Sequence, residues 1–239
     1  MGFYNLPKEE IESLVEKIRK NIFKDIESGK NKNLLIYFSD EDTYIRKTAY
    51  TALAKIYKEK KKFQKKIVGL LEKLSEEENF HIRQSAVNSA GEIGIFDFNA
   101  AEKFLEKGLF DNYHSVRNAV IGSPKKTRQK NPTPSLKWAK KFLHHPDKEI
   151  RREICHGIEL RRRTHPEDIL PMLQELEFDK TPRVRNTLVH VLGQIAYKKN
   201  CLEKVLNHLK KWNNKELVKE AAAEIIDVHE RYKDFAAMS

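Results

Sequence analysis

Residues 147–188 read DKEIRREICHGIELRRRTHPEDILPMLQELEFDKTPRVRNTL, and one device occurs in them twice. An aspartate (Asp147, then Asp179) precedes an aliphatic–arginine pair (Ile150-Arg151, then Val184-Arg185), and each pair opens a run with helical spacing. Similar pairs stand at Ile45-Arg46, Ile82-Arg83, Val116-Arg117 and Val218-Lys219. The successive spacings are 37, 34, 34, 34 and 34 residues. A period of this size marks an array of stacked helical hairpins, in which each repeat buries its apolar face on its neighbours.

Aligned on the pair, apolar or small residues recur at offsets 0, 4, 7 or 8 and 11, which is one face of a helix. In the second repeat these are Ile82, Ala86, Ala90 and Ile93. Ala49, Ala86 and Ala222, at offset 4, allow close helix approach. Acceptors precede the pairs (Asp40 and Asp42, Asn79, Asp111, Asp147, Asp179 and Thr181, Asn213 and Asn214) and suit a helix N-terminus with its free N–H groups. Shorter outer helices are expected at 31–38, 62–74, 98–107, 134–143, 166–176 and 200–211, with Pro134 and Pro166 near two of the starts. An amphipathic helix at 8–27 caps the array, and the last inner helix spans 214–232, followed by a tail that frays. Pro124 falls inside the third inner helix, so that helix should stop or kink and free residues 123–134 as a basic loop. The expected architecture is all-α: a right-handed α-α superhelix of about six hairpins plus an N-terminal cap. It is read as one domain, 1–239, with the cap at 1–30 and repeats at 31–60, 61–96, 97–131, 132–164, 165–199 and 200–235.

Lys and Arg number 46 against 35 Asp and Glu, a net charge of +11. That excess suits a polyanionic partner, either DNA or RNA through backbone phosphates or an acidic protein segment. Cys155 and Cys201 lie inside helical patterns and read as buried thiols of a reducing cytoplasm. There is no zinc spacing, Gly-rich phosphate loop, HExxH or GxSxG, so no metal and no cofactor is expected. No signal-peptide pattern and no run of membrane-spanning length occurs, which gives a cytoplasmic monomer as the expectation.

The basic runs follow the ends of inner helices. They are Lys58, Lys60, Lys61, Lys62, Lys65 and Lys66; Lys125, Lys126, Arg128 and Lys130; Arg161, Arg162 and Arg163; and Lys198 and Lys199. In a solenoid, equivalent positions line one edge, so these runs form a basic rim suited to tracking phosphates. The inner helices add Tyr113, His114 and Arg117, then Arg151, Arg152 and His156, then Arg185 and His190. His156 and His190 share one offset. They could bind phosphate, titrate, or sit half-buried and satisfied.

The Asp…(Val/Ile)-Arg…Ala…Leu register resembles HEAT-like repeats across nearly the whole chain. The resemblance implies an ARM-type α-solenoid in which Arg46, Arg83, Arg117, Arg151 and Arg185 pair with acidic residues of neighbouring repeats. The array, its size and its charge also resemble the AlkD/AlkC superfamily of alkylpurine DNA glycosylases, the fifth inner helix RVRNTLVHVLGQIAYKKN and the following LNHLKKW above all. That resemblance implies a DNA-repair protein that holds DNA in a basic channel. Its channel arginine falls at Arg152, and two DNA-stacking tryptophans fall near Tyr113 and at His190. Its catalytic aspartate falls at Arg117. A guanidinium there would oppose the oxocarbenium-like sugar of base release, which leaves excision unsupported. With the register moved by a turn, Glu153, Glu159 or Asp111 would serve. An enzyme on this scaffold would be an alkylpurine DNA glycosylase-like hydrolase; the alternative is a scaffold that docks an acidic partner.

Overall fold

The repeat arginines act first on the turns that precede their own helices. In four repeats the guanidinium Nη1 donates to the two carbonyls five and six residues earlier: Arg46 to Asp40 and Glu41, Arg83 to Glu77 and Glu78, Arg117 to Asp111 and Asn112, Arg151 to His145 and Pro146. Those carbonyls lie where the chain leaves one helix for the next and have no helical donor of their own. Side chains then cap the turn. Asp42, Asn79, Asp147 and Asn214 accept from backbone N–H groups in the first turn of the helix that follows.

The computed structural model describes residues 3–130, 132–158 and 165–233, with the backbone alone at 4 and 123–130. Among the described residues the regular elements are all helical. None of these helices is long and apolar enough to cross a membrane. The chain divides into two compact units, Met1–Asn131 and Pro132–Ser239.

In the first unit α1 (Lys8–Ser28) precedes three hairpins: α2 (Lys32–Phe38) with α3 (Thr43–Glu59), α4 (Gln64–Leu74) with α5 (Phe80–Gly94), and α6 (Phe98–Leu109) with α7 (His114–Lys130). The inner helices α3, α5 and α7 lie side by side, and α1 packs on α3 and closes the row. The expected face is the buried one. Ile82, Ala86, Ala90 and Ile93 of α5 are all within 6% of complete burial, and each large aliphatic in such a row contributes roughly 1.5–3 kcal/mol.

In the second unit α8 (Pro132–Lys140) precedes α9 (Lys148–Ile158), α10 (Leu170–Gln174) precedes α11 (Pro182–Ala196), and α12 (Leu202–Leu209) precedes α13 (Lys215–Arg231). Here α11 packs on both α9 and α13. Trp138 and Trp212 anchor the outer layer, and Cys155 and Cys201 are buried thiols.

Two expectations are corrected. Helix α7 runs through Pro124 to Lys130, so residues 123–130 are helix and not a freed loop. The helix is well established before Pro124, whose ring fixes φ near the helical value, so the proline removes one hydrogen bond without ending the element. The sixth register also slips by one residue. Leu217, Ala221, Ile225 and Val228 are the buried face of α13, whereas Val218 and Ala222 are only half-buried. The Asn214 cap decides this, because it stands three residues before Leu217, as Asn79 stands before Ile82.

Close approach in the first unit depends on Gly108 in α6. A Cβ there would lie 2.6 Å from Val87 Cγ2 of α5 and 2.8 Å from Val120 Cγ2 of α7. Both neighbours are buried, stiff β-branched side chains. Gly108→Ala is expected to destabilise the fold by about 1–3 kcal/mol. Urea denaturation checks this, and a neutral or stabilising result would show that the three helices can part at this point.

Candidate nucleic-acid interface

The residues expected to meet a ligand divide between the two units. In the second unit, structural partners already engage most of them. All five N–H groups of Arg151 are used: Nε and Nη2 on Asp179 at 2.5 and 3.2 Å, Nη2 also on the Thr181 hydroxyl at 3.0 Å, and Nη1 on the carbonyls of His145 and Pro146. Arg152 donates to Glu149 at 3.0 Å and to Glu153, while Arg183 of α11 reaches the other Glu149 oxygen at 2.9 Å. Two guanidiniums and two carboxylates thus neutralise one another. Arg185 makes a bidentate pair with Glu220, both contacts 2.8 Å, and Glu216 lies 3.4 Å away. His190 Nδ1 is 3.3 Å from Glu224. His156 is half-buried. The Lys198 ammonium lies 5.2 Å from the centre of the Tyr197 ring, and Lys199 is exposed. Carboxylates therefore balance the inner arginines of this unit, and no positive track runs along them. Arg161, Arg162, Arg163 and Glu159 lie outside the described residues, as do the side chains of Lys125, Lys126, Arg128 and Lys130.

The ladder implied by the repeat pattern is present at Arg83, Arg151 and Arg185. Arg83 meets Asp111 through Nε at 2.7 Å and Nη2 at 3.0 Å, 28 residues away, and Arg151 meets Asp179 at the same separation. Arg46 and Arg117 donate to turn carbonyls instead. Twenty-eight residues after Arg46 and Arg117 the sequence has Leu74 and His145, neither of which is a carboxylate.

Asp111 has three roles. Its carbonyl accepts from Arg117 at 2.6 Å, its Oδ1 accepts the Tyr113 N–H at 2.8 Å, and both carboxylate oxygens accept from Arg83. Burial would raise its pKa. The Arg83 hydrogen bonds, the Tyr113 N–H and the nearby positive charges outweigh that and hold it below the ordinary aspartate value. In return, hydrogen bonding to Asp111 raises the pKa of Arg83, which stays cationic.

This clamp positions an aromatic plate at the N-terminal ends of α5 and α7. Tyr113 is 51% exposed. It stacks on Phe80 with centroids 4.7 Å apart and planes 5° from parallel, and the Arg83 guanidinium carbon is 5.4 Å from its centre. His81 meets Phe80 edge-on at 4.1 Å. His114 is exposed beside Tyr113, its Nε2 3.0 Å from Asn118 Nδ2. Sequence reasoning singled out Tyr113 and His114 but missed Phe80. The signal was there: Phe80 and Tyr113 are 33 residues apart, one short of the period. Among the described residues no His, Cys, Asp or Glu cluster could hold a metal ion.

A family model described as HEAT repeats matches residues 136–227. No curated protein matches the chain by sequence. Among solved structures, AlkD2 from Streptococcus mutans superposes with a TM-score of 0.57 at 16% identity, over 86% of this chain and 97% of that one. The protein smu.31 from Streptococcus mutans UA159 gives 0.55 at 17%, over 85% and 97%. The fold is a HEAT-like solenoid of the AlkD type. A TOG domain of crescerin, whose TOG array is described as regulating microtubules in the primary cilium, gives 0.52 at 16%, over 82% and 88%. At these identities the likeness is one of fold.

On this AlkD-type scaffold the Arg83–Asp111 pair is largely shielded, with side-chain exposures of 15% and 11%. Asp111→Asn should lower stability at pH 7 by about 1.5–3 kcal/mol, the range for hydrogen bonds to charged groups. Because folding lowers the pKa of Asp111, its contribution is complete above the unfolded-state value and is lost as pH falls through the folded value. Denaturant titrations should therefore show the gap between wild type and variant constant from pH 7 down to the unfolded-state value of about 3.9 and closing below it. A gap that stays constant below that value would exclude the ionised pair as its cause.

Proposed function

We propose that this AlkD-type chain is a cytoplasmic nucleic-acid-binding protein that holds its ligand without excising a base. The observation that carries the reading is the Phe80–Tyr113 plate. Tyr113 is half exposed, yet it is held by Asp111 at its backbone and by Phe80 across its ring. A ligand that stacks on it meets a surface already ordered, so little conformational freedom is lost on binding. Base–aromatic stacking needs a flat π-surface and tolerates any base. The first turn of α7 contains no acidic residue, so the positive end of that helix favours an anion beside Tyr113. The resemblance to alkylpurine glycosylases, which implies a DNA-stacking aromatic near Tyr113, supports the same ligand class.

The chemistry of excision finds no support in the same place. Arg117 stands where the resemblance implies the catalytic aspartate, and its guanidinium donates to the carbonyls of Asp111 and Asn112. A one-turn shift does not supply a carboxylate from Asp111 or Glu153: Arg83 engages Asp111, and Glu153 is 3% exposed and bonded to Arg152. With Asp111 and Glu153 so engaged, neither is free to stabilise the positive charge that develops as the base leaves.

Fluorescence anisotropy with labelled duplex and single-stranded oligonucleotides tests the reading. Tyr113→Ala should weaken binding by about 5- to 150-fold, the equivalent of about 1–3 kcal/mol of stacking. Incubation with a methylated duplex should release no free base. Equal affinity of wild type and variant, or the appearance of free methylpurine, would overturn the proposal.

A further inference from the structure

One edge of the first unit concentrates lysines that folding alone does not explain. Three contacts build it from the end of α1 and the link between α3 and α4. Arg19 reaches Glu59 at 3.3 Å, the Phe23 and Phe63 rings meet edge-on at 5.8 Å, and the Lys66 ammonium donates to the Glu27 carbonyl at 3.0 Å. These contacts bring together two segments that carry Lys24 and Lys30 on one and Lys60, Lys61, Lys62 and Lys65 on the other, all exposed. Among the described residues none of the six has a carboxylate within ion-pair distance. Two carboxylates of these segments are already engaged: Glu59 faces Arg19 and Lys55, and Asp25 accepts from the Asn33 amide and the Leu34 N–H.

Helix electrostatics explain part of this set. Lys60 closes the C-terminal end of α3 and Lys30 follows that of α1, where free carbonyls favour cations. Lys61 and Lys62 follow the same end of α3, and the Lys62 ammonium lies 4.9 Å from the centre of the Phe63 ring. Lys65 instead opens α4, whose first turn has no acidic residue, so it stands at the positive end of a helix. One cation per helix end would satisfy the free carbonyls, and the crowding of further like charges favours an external anion.

The type of cation and its neighbours narrow the ligand. The edge is made of lysines, which are compact, strongly hydrated charges without the planar fork by which arginine reads guanine. Such a surface tracks phosphates without reading sequence. A lipid surface is disfavoured, because membrane-binding segments pair their cations with exposed bulky apolar side chains. From residue 58 to 66 every exposed residue is charged, and Phe63 is half-buried against Phe23.

We propose that this lysine edge, at the end of α1 and the α3–α4 link, is a backbone-binding surface for nucleic acid, separate from the Tyr113 plate. It rests on the same ligand class as the proposed function. The test is duplex affinity measured from 50 to 200 mM salt for wild type, for Lys61→Gln/Lys62→Gln/Lys65→Gln and for Tyr113→Ala, with circular dichroism to confirm unchanged helicity. Each lost phosphate contact should lower the slope of log affinity against log salt by about 0.9, so the triple variant should lose about 2.7. Tyr113→Ala should weaken binding with little change of slope. If the triple variant keeps the wild-type slope, the edge proposal fails while the plate survives. If only Tyr113→Ala is without effect, the plate fails and the edge stands. A wild type that binds phosphatidylserine vesicles or an acidic peptide but not duplex at 50 mM salt overturns both.

Discussion

The bond from a repeat arginine to the carbonyls five and six residues before it is the constraint on which the other features depend. It fixes the turn into each inner helix at Arg46, Arg83, Arg117 and Arg151. With the turn fixed, the residue five before the buried aliphatic can take a second role. His145, Asp111 and Asp179 occupy that place in successive repeats, and each accepts the N–H two residues on. Where it is an aspartate it also accepts the arginine of the preceding repeat, so one side chain joins two hairpins. The exposed Tyr113 ring follows from this geometry, because the same carboxylate sets its backbone.

In the second unit Arg183 and Arg185 of α11 face Glu149 of α9 and Glu220 of α13 at separations of 34 and 35 residues, so charge holds helix to helix. In the first, the inner helices α3, α5 and α7 associate through small and aliphatic side chains, with Gly108 setting the distance for α6. That leaves aromatic rings and lysines at the helix ends available to other molecules. Charge crosses between hairpins in the first unit as well, at Arg83–Asp111, Lys103–Glu72 and Lys107–Glu76.

Most of the scaffold was legible because a 34-residue period combines weak local signals into a strong one. Buried Ile82, Val116, Ile150 and Val184 fall on the expected positions. The register failed at the sixth repeat, where Leu217 and Val218 are adjacent aliphatics and constant spacing alone chose the wrong one. It failed at Pro124 because a local rule about proline was applied to a helix whose earlier turns already secure it. The site was less legible. Charge is visible in a sequence but its pairing is not. Arg152 reads as an open cation until Glu149, three residues earlier, and Glu153 are placed beside it. Phe80 carried a hint of its role only in its distance from Tyr113.

Both tryptophans of the chain, Trp138 and Trp212, belong to the second unit, and both are buried to within 1%. Six of the eight tyrosines, from Tyr4 to Tyr113, belong to the first. Intrinsic indole emission is therefore a private optical gauge of one half of the molecule, and a melt followed at that wavelength is silent about the half that carries the plate and the lysines. Whether the halves melt together can be read without any label, by comparing that signal with the helical ellipticity to which both contribute.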